Sequence, residues 1–496
     1  MTSTGVPEEI VATDAPRRAL RVVMFVYNDV SRDSRVLREA ASLAAAGLRV
    51  TVIGRPRSAD ERDITRHQRD GFEIALVPMP HEWRRWWYRF RKPWHMRGLI
   101  VRRFRYHLGR GPAGWIRATA YLGVALLVGI SSLIRLPFIA ISGGLSQTKH
   151  DSTFDWLIRW RWGVLGWARA AAAAAPAADV YHGHDLTGLP AAVRAQARKG
   201  GLVVYDSHES FMDSGSNVKR PRWAKAILRW FERRQARHAV ALVTVNRSLG
   251  ELLGARLRLD RVVVVYNCPA RWAAPAERPD LLRRATSLTQ ATPIALYHGA
   301  FSPHRGLEEL AEALLVPGME AVHAAFLGYG SREEALRAMV QDPRYGGRLH
   351  VLEAVAPEVL PAWVASADVG VMAIQASTLN HRLSSPNKLF ESIATGLPVV
   401  VSDFLEMRRI VLEDPDGPLG AVCDPADPVS IAAAIRSILD LPSEDREALR
   451  ARCLRAAHER WNWETESSRL VALYDSLAAE IARSGADAGS LSTTGG

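Results

Sequence analysis

The sequence predicts an α/β protein of two domains, each built on a parallel β-sheet flanked by helices. Three observations lead to this fold class. A chain of 496 residues is too long for a single hydrophobic core. Its composition, 48% hydrophobic and 23% charged, is that of a folded globular protein. Short apolar, β-rich runs alternate with helical patterns in two separate series along the chain.

The first series predicts a Rossmann-like domain over 20–268. It opens with a predicted strand at 21–27, a helix at 34–46 and a strand at 49–53. Such a unit forms a parallel sheet with a right-handed crossover. The alternation is interrupted by an insertion over 80–175 and then resumes. Further strands are predicted at 179–182, 202–205, 241–245 and 262–265.

The second series predicts another Rossmann-like domain over 290–460, after a Pro-, Ala- and Glu-rich linker at 269–289. A last helix over 461–484 has an apolar face too large to leave in water, so we expect it to pack back on the domain interface. The polar ends of the chain, 1–19 and 485–496, are predicted to be disordered. The strands of the second domain are predicted at 294–298, 324–327, 349–352, 369–373 and 399–402.

Charge and cysteine content narrow the class of protein. Of the net charge of +12, a surplus of +9 arises between Glu82 and Arg110, from ten Lys/Arg against one acid. The positive charge is therefore local. Cys268, Cys423 and Cys453 lie far apart with no paired spacing, which indicates buried thiols rather than a disulfide framework or a zinc site. The first residues show no secretory signal, so we expect a cytoplasmic protein.

Two loops of the second domain carry chemistry that suits a nucleotide. In parallel sheets, ligands bind beyond the carboxyl ends of the strands, where helix N-termini attract anions. One loop contains Gly299, which permits close approach, and Arg305, whose guanidinium makes two-pronged contacts with phosphate. The other is 384–391, in which Ser385 is predicted as the N-cap and Pro386 as the first helical residue.

Lys388 and Glu391 lie three residues apart and share one face of that predicted helix. A cation near a phosphate, with a carboxylate that accepts two ribose hydroxyls, would bind a nucleoside diphosphate. The alternative is an ion pair within the helix, which is the commoner arrangement. Only six lysines occur among the 64 basic residues, which favours a specific role for this one.

The same segment resembles the signature of the family-4 retaining glycosyltransferases, whose GT-B fold has two Rossmann-like domains facing each other across a cleft. The resemblance extends over both domains but not over about 80–175. It rests on Pro386-Asn-Lys-Leu-Phe-Glu391, Ala394-Thr-Gly-Leu-Pro-Val-Val400, Ser402-Asp-Phe-Leu-Glu-Met-Arg408, Gly299…Arg305-Gly306, Phe326-Leu-Gly-Tyr-Gly330 and the opening run Asn28-Asp29-Val-Ser-Arg-Asp33-Ser-Arg35-Val-Leu-Arg-Glu39.

The resemblance implies a division of roles in the donor site. It implies that Glu391 binds the ribose of a nucleotide-sugar donor, while Arg305 and Lys388 hold the diphosphate and act as the catalytic cations. The remaining predicted donor contacts are Gly299, Asn387 and Leu389.

Two positions depart from the family's pattern. Leu383 replaces a carboxylate that contributes to recognition of the donor sugar, so the identity of the sugar stays open, and Ala300 replaces an arginine. Breaking the bond between sugar and diphosphate requires positive charge at the leaving phosphate, which Arg305, Lys388 and a helix N-terminus can supply. Nothing in the sequence resembles the paired acidic ligands of metal-dependent transferases. We therefore expect no metal and no cofactor apart from the nucleotide-sugar co-substrate.

The first domain offers candidates for the acceptor side of the cleft. His184 and Asp185 follow a predicted strand, on a loop expected to face the cleft, and the resemblance implies that His184 lies near the reacting sugar as a catalytic residue. A hydrogen-bonded structural histidine is the alternative, and a zinc site with a neighbouring histidine is a weaker one. Asn28, Asp29, Asp185 and His208 are predicted acceptor contacts, with helix or turn capping as the alternative.

The insertion is rich in tryptophan and arginine. Residues 83–167 hold nine of the fifteen tryptophans. An uncharged run of 14 residues, Tyr121–Ile134, spans only about 21 Å as a helix, whereas a bilayer core is about 30 Å thick. The strands before and after the insertion belong to one sheet and must lie on the same side of a membrane. This excludes an odd number of membrane crossings. We predict an in-plane or re-entrant membrane element; a buried helical subdomain and nucleic-acid binding are the alternatives, and no nucleic-acid module is recognisable.

Together these features predict a retaining glycosyltransferase that is peripheral or monotopic on the inner face of the cell membrane. It would transfer a sugar to a membrane-proximal acceptor such as a glycolipid or a growing cell-surface polysaccharide. A sugar-nucleotide epimerase of the same fold and a non-catalytic nucleotide-binding membrane scaffold are the alternatives. The membrane surface is expected to contact about 83–167, and nucleic acid is not an expected partner.

Overall fold

The computed structural model describes residues 19–79 apart from 32 and 59–60, isolated helical positions between 101 and 130, and residues 153–492. Two separate β-sheets organise these residues. The first has eight strands and the second has six, and all neighbouring strands are parallel except one pair at the edge of the first sheet. The predicted α/β class with two Rossmann-like sheets is confirmed.

The first sheet has the strand order β3-β4-β2-β1-β5-β6-β7-β8. Its strands are β1 (Arg21–Phe25), β2 (Arg49–Gly54), β3 (Thr65–Arg69), β4 (Phe72–Leu76), β5 (Val180–His184), β6 (Leu202–Ser207), β7 (Ala239–Thr244) and β8 (Val262–Val264). The helices around it are α1 (Ser34–Ala45), α2 (Thr153–Ile158), α3 (Leu165–Ala174), α4 (Asp185–Lys199), α5 (Arg222–Ala236) and α6 (Arg247–Leu257). A π-helical turn, Arg159–Val164, joins α2 to α3.

The second sheet has the strand order β11-β10-β9-β12-β13-β14. Its strands are β9 (Ile294–Ala300), β10 (His323–Tyr329), β11 (Leu349–Glu353), β12 (Val369–Met372), β13 (Val399–Ser402) and β14 (Gly420–Cys423). One helix, α7 (Leu281–Thr286), lies within the predicted linker. The helices after it are α8 (Leu307–Ala313), α9 (Glu333–Val340), α10 (Leu360–Ala365), α11 (Leu379–Arg382), α12 (Asn387–Ala394), α13 (Leu405–Leu412), α14 (Pro428–Leu439), α15 (Ser443–Glu459) and α16 (Trp463–Ser492).

Local sequence explains the first crossover. The Asp33 side chain caps α1 by accepting a hydrogen bond from the Val36 backbone N–H, which satisfies one of the orphan donors of the first turn. Val36, Ala40 and Leu43 recur at helical spacing and are fully buried against the sheet. Because α1 is fixed in this way, the Asn28–Asp33 loop that precedes it lies at the carboxyl end of β1.

Helix α16 returns to the first domain after the chain has completed the second. Leu470, Tyr474 and Leu477 are fully buried in the core under β1, β5 and β6. Glu466 accepts a hydrogen bond from the backbone N–H of Tyr266, in the segment that leaves the first sheet. The sequence predicted a disordered tail from 485, whereas α16 stays helical as far as Ser492.

At its described end, the insertion packs inside the first domain and does not face a membrane as predicted. Trp156, Trp160 and Trp167 are buried against other parts of the first domain. Their apolar rings are covered by protein and are not available to lipid headgroups. Residues 80–100 and 131–152, and most positions between them, lie outside the described residues, as does most of the predicted tail at 1–19. Within the described helices, none is both long and apolar enough to cross a bilayer.

Candidate functional site

A cleft of about 1130 Å³ lies between the carboxyl ends of the two sheets. One wall comes from the first domain, with Asn28, Asp29 and His208, and the opposite wall comes from the loops after β9 and before α12. In parallel α/β sheets this edge is where loops and helix N-termini can meet a ligand. The cleft therefore brings together most of the residues that the sequence singled out.

Glu391 lies on α12 and lines the cleft. Its Oε2 is 2.9 Å from Nε2 of His298, a buried histidine on β9. Burial alone would raise the pKa of Glu391, but the hydrogen bond with His298 and the charges of His298 and Lys388 outweigh it and lower the pKa. The carboxylate is thus held ionised and in a fixed orientation, with an oxygen left to accept hydroxyl groups.

Lys388 lies one turn before Glu391 and also lines the cleft. Its Nζ is 3.6 Å from the centre of the Tyr297 ring, a cation–π contact that holds the ammonium group. Gly299, beside it, has φ +108°, a conformation that favours glycine, and a Cβ there would be in ordinary contact with that Nζ at 3.4 Å. Burial, reinforced by the positive charge of Arg305, lowers the pKa of Lys388 to about 7, although Glu391 opposes the shift.

Arg305 reaches the cleft from a tight loop. Gly306 has φ +74°, and a Cβ there would lie 2.1 Å from the carbonyl oxygen of Ala373, so only glycine fits this turn. His304 before it also has a positive φ of 66°. The loop turns sharply between β9 and α8 and leaves Arg305 on the cleft wall.

The other two predicted donor contacts on α12, Asn387 and Leu389, differ in where their side chains lie. Asn387 lines the cleft, where its Oδ1 accepts a hydrogen bond from Asn267 of the first domain. The Leu389 side chain is fully buried in the core beneath α12, so any contact of this residue with the donor would come from its backbone. Successive helical residues point about 100° apart, so the residue after Lys388 faces away from the cleft. Pro386, not Ser385, is the N-cap of α12, and Leu383 lines the cleft.

His208 is the histidine of the first domain that lines the cleft. Its Nε2 is 3.2 Å from Asp206, and its Nδ1 is 3.5 Å from Asp185. Burial alone would lower the pKa of His208, but the two carboxylates outweigh it and raise the pKa to about 10. The ring is cationic at neutral pH. Because 3.5 Å is long for a hydrogen bond, Nδ1 remains able to donate to a ligand in the cleft.

The structure corrects the predicted positions of His184 and Asp185. His184 is the last residue of β5 and is completely buried, with its Nδ1 3.2 Å from Asp206. Burial, reinforced by the neighbouring His182, lowers its pKa to about 4. Its ring points into the domain because alternate strand residues face opposite sides of a sheet. Asp185 starts α4 and accepts a hydrogen bond from the His208 backbone N–H, so it supports that histidine from outside the cleft lining.

Among the described residues, one group of acids and histidines has ligand atoms within 4.8 Å of one another: Glu39, His182, His184 and Asp206. The guanidinium of Arg35 lies 2.9 Å from Glu39 and 3.4 Å from Asp206. This buried arginine already supplies positive charge to both carboxylates and would repel a divalent cation. The group is thus better suited to hold Asp206 in place beneath His208 than to bind a metal.

Sequence reasoning missed the residues that join the two walls. Asn246 caps α6 with its Oδ1 and donates from Nδ2 to the Leu383 carbonyl and to Ser385 Oγ. Glu406 is buried at the other end of the interface, where it accepts hydrogen bonds from Ser248 and from the Tyr266 hydroxyl. The only signal in the sequence was the position of Glu406 within the family-like motif after β13.

Two Rossmann-like sheets that face each other across a cleft define the GT-B class of enzymes. Two families of this class match the chain. The family described as "Glycosyl transferases group 1" matches residues 292–441, and the "Glycosyl transferase 4-like domain" matches residues 132–270. These matches fall on the second and the first domain, respectively. The chain belongs to the group 1, or family-4, retaining glycosyltransferases.

Individual relatives agree with this membership. Glycogen synthase of Mycobacterium tuberculosis (strain H37Rv) is 25% identical over 309 residues, which is 60% of this chain and 68% of that protein. The MMP alpha-(1->4)-mannosyltransferase of Mycolicibacterium hassiacum is 30% identical over 134 residues, 27% of this chain and 30% of that protein.

Solved structures share the fold over nearly the whole chain. Sucrose-phosphate synthase from Thermosynechococcus elongatus superposes with a TM-score of 0.63 at 16% identity, covering 93% of this chain and 100% of the other. HepE of Anabaena, solved in complex with UDP, gives a TM-score of 0.56 at 13% identity, covering 92% of this chain and 100% of that one.

Family membership decides between the functional alternatives. The protein is a glycosyltransferase that uses a nucleotide-sugar donor, so the epimerase and the non-catalytic scaffold are set aside.

Proposed function

We propose that the donor's diphosphate binds between Arg305 and Lys388 and that its ribose hydroxyls bind Glu391. The observation that carries this proposal is the set of two cations and one oriented carboxylate on a single wall of the cleft. The N-terminus of α12 adds the positive end of a helix dipole on the same wall. Gly299, beside Lys388, lets the donor approach the backbone closely.

The same residues support the chemical step. As the bond between the sugar's anomeric carbon and the diphosphate oxygen breaks, negative charge grows on the leaving group, and Arg305 and Lys388 stabilise it electrostatically. The acceptor's hydroxyl oxygen forms the new bond to the anomeric carbon, and its proton passes to the departing phosphate oxygen. This step needs no divalent cation as electrophile, in keeping with the expectation from the sequence.

On the opposite wall, we assign to His208 the role that the sequence suggested for His184. Its cationic ring is anchored through Nε2, and its Nδ1 can donate a hydrogen bond to a sugar hydroxyl. Asn28 and Asp29 lie on the same wall and are the proposed acceptor contacts. Asp185 acts through His208 and is a positioning residue.

The proposed acceptor is membrane-proximal, such as a glycolipid or a growing polysaccharide at the inner face of the membrane. The described positions of the insertion support this location, because Leu122, Leu126 and Ile130 are exposed although apolar. They follow one another at four-residue spacing and so share one face of a helix. An apolar stripe next to a basic segment is typical of an element that lies in a membrane interface.

The decisive experiment measures binding and slow hydrolysis of a panel of nucleotide sugars by the purified full chain. Glu391→Ala should weaken donor binding by at least about 100-fold, because it removes two hydrogen bonds to a charged group at about 1.5–3 kcal/mol each. The matched control is Glu413→Ala, which changes an exposed glutamate outside the cleft lining. If no nucleotide sugar binds, or if the two variants behave alike, the donor-site proposal is wrong.

A further inference from the structure

One face of helix α5 (Arg222–Ala236) exposes large apolar side chains to solvent. Trp223, Ile227 and Trp230 are exposed to 41%, 47% and 62% of their surface. They recur at four- and three-residue spacing and therefore form a single stripe along the helix. The opposite face packs in the first domain through Ala224 and Leu228, so the stripe is not needed for the attachment of α5 to its domain.

The stripe is bordered by positive charge. Five exposed arginines lie on or directly after α5: Arg222, Arg229, Arg233, Arg234 and Arg237. The single acid of the helix, Glu232, is buried and accepts a hydrogen bond from Tyr205. The exposed face of α5 is therefore apolar and cationic, with no acidic residue on it.

We propose that this face of α5 docks the protein on an anionic lipid membrane. Tryptophan is favoured at the level of lipid headgroups, and arginines beside it gain from the negative surface potential of acidic lipids. A helix with an apolar stripe and a basic border lies in the plane of such a surface. The basic part of the insertion, between Glu82 and Arg110, is a poor occupant, because its positive charge would repel the arginines of α5.

The position of α5 connects this surface to the cleft. Val218 and Lys219, in the turn that leads into α5, line the cleft, and α5 begins three residues later. A membrane that contacts Trp223 would thus lie beside the cleft's mouth on the acceptor side. The inference deepens the proposed function by naming the lipid surface that would present the acceptor, although its test does not depend on the acceptor's identity.

The test is co-sedimentation of the full chain with phosphatidylcholine vesicles prepared with and without phosphatidylglycerol. We expect binding only with phosphatidylglycerol. Ile227→Ser combined with Trp230→Ser should abolish it, and each of Arg233→Ser and Arg234→Ser should weaken it about fivefold. The matched controls are Leu405→Ser combined with Val429→Ser for the apolar pair, and Arg284→Ser and Arg455→Ser, each alone, for the two arginines; all four residues are exposed and lie outside the first domain.

Three outcomes would overturn the proposal. The first is binding that is absent from both vesicle types or unchanged by the α5 substitutions. The second is a melting temperature of the apolar double variant well below that of its control, which would mean that protein covers the stripe. Binding of a single-stranded RNA oligonucleotide that depends on α5, without vesicle binding, would assign the surface to nucleic acid. Donor hydrolysis without vesicles is measured on the same variants; its absence in every protein would refute the donor site alone.

Discussion

At the scale of single residues, the donor wall owes its properties to a lysine that is half charged near neutral pH. Lys388 loses solvent, faces Arg305 and rests on Tyr297, and its pKa falls to about 7. The free enzyme can hold two cations side by side because one of them readily gives up its proton. A bound diphosphate would favour the protonated form.

This arrangement predicts how donor affinity changes with pH. If protonated Lys388 binds the diphosphate, the dissociation constant stays level below about pH 7 and rises up to tenfold per pH unit above it, because deprotonated enzyme must first take up a proton. Lys388→Arg should flatten this profile, since arginine stays charged. Isothermal titration calorimetry with the nucleoside diphosphate between pH 6 and pH 9, in steps of about one unit, measures the dissociation constant at each pH. If its rise above about pH 7 is the same in Lys388→Arg, Lys388 is not the cause of the pH dependence.

The two histidines that compete for the first-domain role can be separated by experiment. His208→Ala should lower the kcat of the folded enzyme about 100-fold, as expected when a donor to the reacting group is lost, and it should also cost stability because Asp206 and Asp185 lose their cation. His184→Ala should lower the free energy of unfolding by about 2–5 kcal/mol, because it leaves a cavity in the interior, and should leave the kcat of the folded enzyme nearly unchanged. Steady-state kinetics and urea unfolding of both variants measure this contrast; the reverse pattern would restore His184 to the proposed active site.

A chelator distinguishes charge supplied by side chains from charge supplied by a metal. We expect EDTA to leave the transfer rate unchanged, whereas Arg305→Ala should lower kcat by about 100–1000-fold because it removes a cation from the leaving phosphate. The rate is measured on enzyme dialysed against EDTA, then with added Mg²⁺ and Mn²⁺. A loss of rate that either ion restores would contradict the proposed mechanism.

Sequence reasoning was strongest for residues whose chemistry comes from their own local segment. Lys388 and Glu391 share a helix face by spacing alone, and that spacing places both on the cleft wall. His184 and His208 were harder to tell apart, because both occur at strand ends. Which ring faces the cleft depends on where a strand stops and on Asp206, which lies between them in space. The same limit applies to Leu389, whose side chain faces the core although the neighbouring Lys388 lines the cleft.

At the scale of elements, the domains are joined by side chains that cap a neighbour's helix. Glu406 of α13 accepts from the backbone N–H of Ser248 in the first turn of α6, and also from the hydroxyl of Tyr266. One carboxylate thus completes a helix terminus in the other domain. Asn246 makes the reverse connection, from the N-cap of α6 to the loop before α12.

This contact gives a prediction about the domain interface. Glu406→Ala should lower the free energy of unfolding by about 1–3 kcal/mol, because buried donors on Ser248 and Tyr266 lose their acceptor. Glu413→Ala, an exposed position at the end of the same helix, should change it very little. Thermal unfolding of both variants provides the comparison. Equal effects would mean that the interface does not depend on this carboxylate.

Elements with a strong hydrophobic period were predictable and irregular ones were not. Strand β13 is almost entirely valine and β9 begins with four apolar residues, as expected for strands covered on both faces. The hairpin of β3 and β4 was not predicted, because β3 is exposed throughout and polar. Strand β14 was missed for a similar reason: it has four residues at the sheet edge and is mostly half-buried.

At the scale of the whole molecule, α16 holds the two domains together, because it follows the second domain in the chain but packs in the first. The chain leaves the first domain at the linker, completes the second and returns to bury α16 in the first core. The sequence predicted the return from the apolar face of this helix. It could not show which sheet receives the helix, since that depends on long-range packing.

The return of α16 predicts the effect of a core substitution far from the first domain in sequence. Leu470 is fully buried there, so Leu470→Ala should lower the free energy of unfolding by about 2–5 kcal/mol. Val429→Ala, at an exposed position of the second domain, is the control. Hydrogen exchange followed by mass spectrometry should locate the loss of protection in α1, β5 and β8, which α16 contacts. A loss confined to the second domain would contradict this packing.

The same return of α16 has a consequence for how the protein is made. The ribosome delivers the chain from its N-terminus, so every strand of the first sheet emerges before the helix that fills part of its core. During synthesis, the surfaces of α1, β8 and His182 that α16 later contacts must remain exposed while about 200 or more further residues are added. The first domain is therefore the last to mature, although its strands are made first, and its nascent form is the one that should need a chaperone.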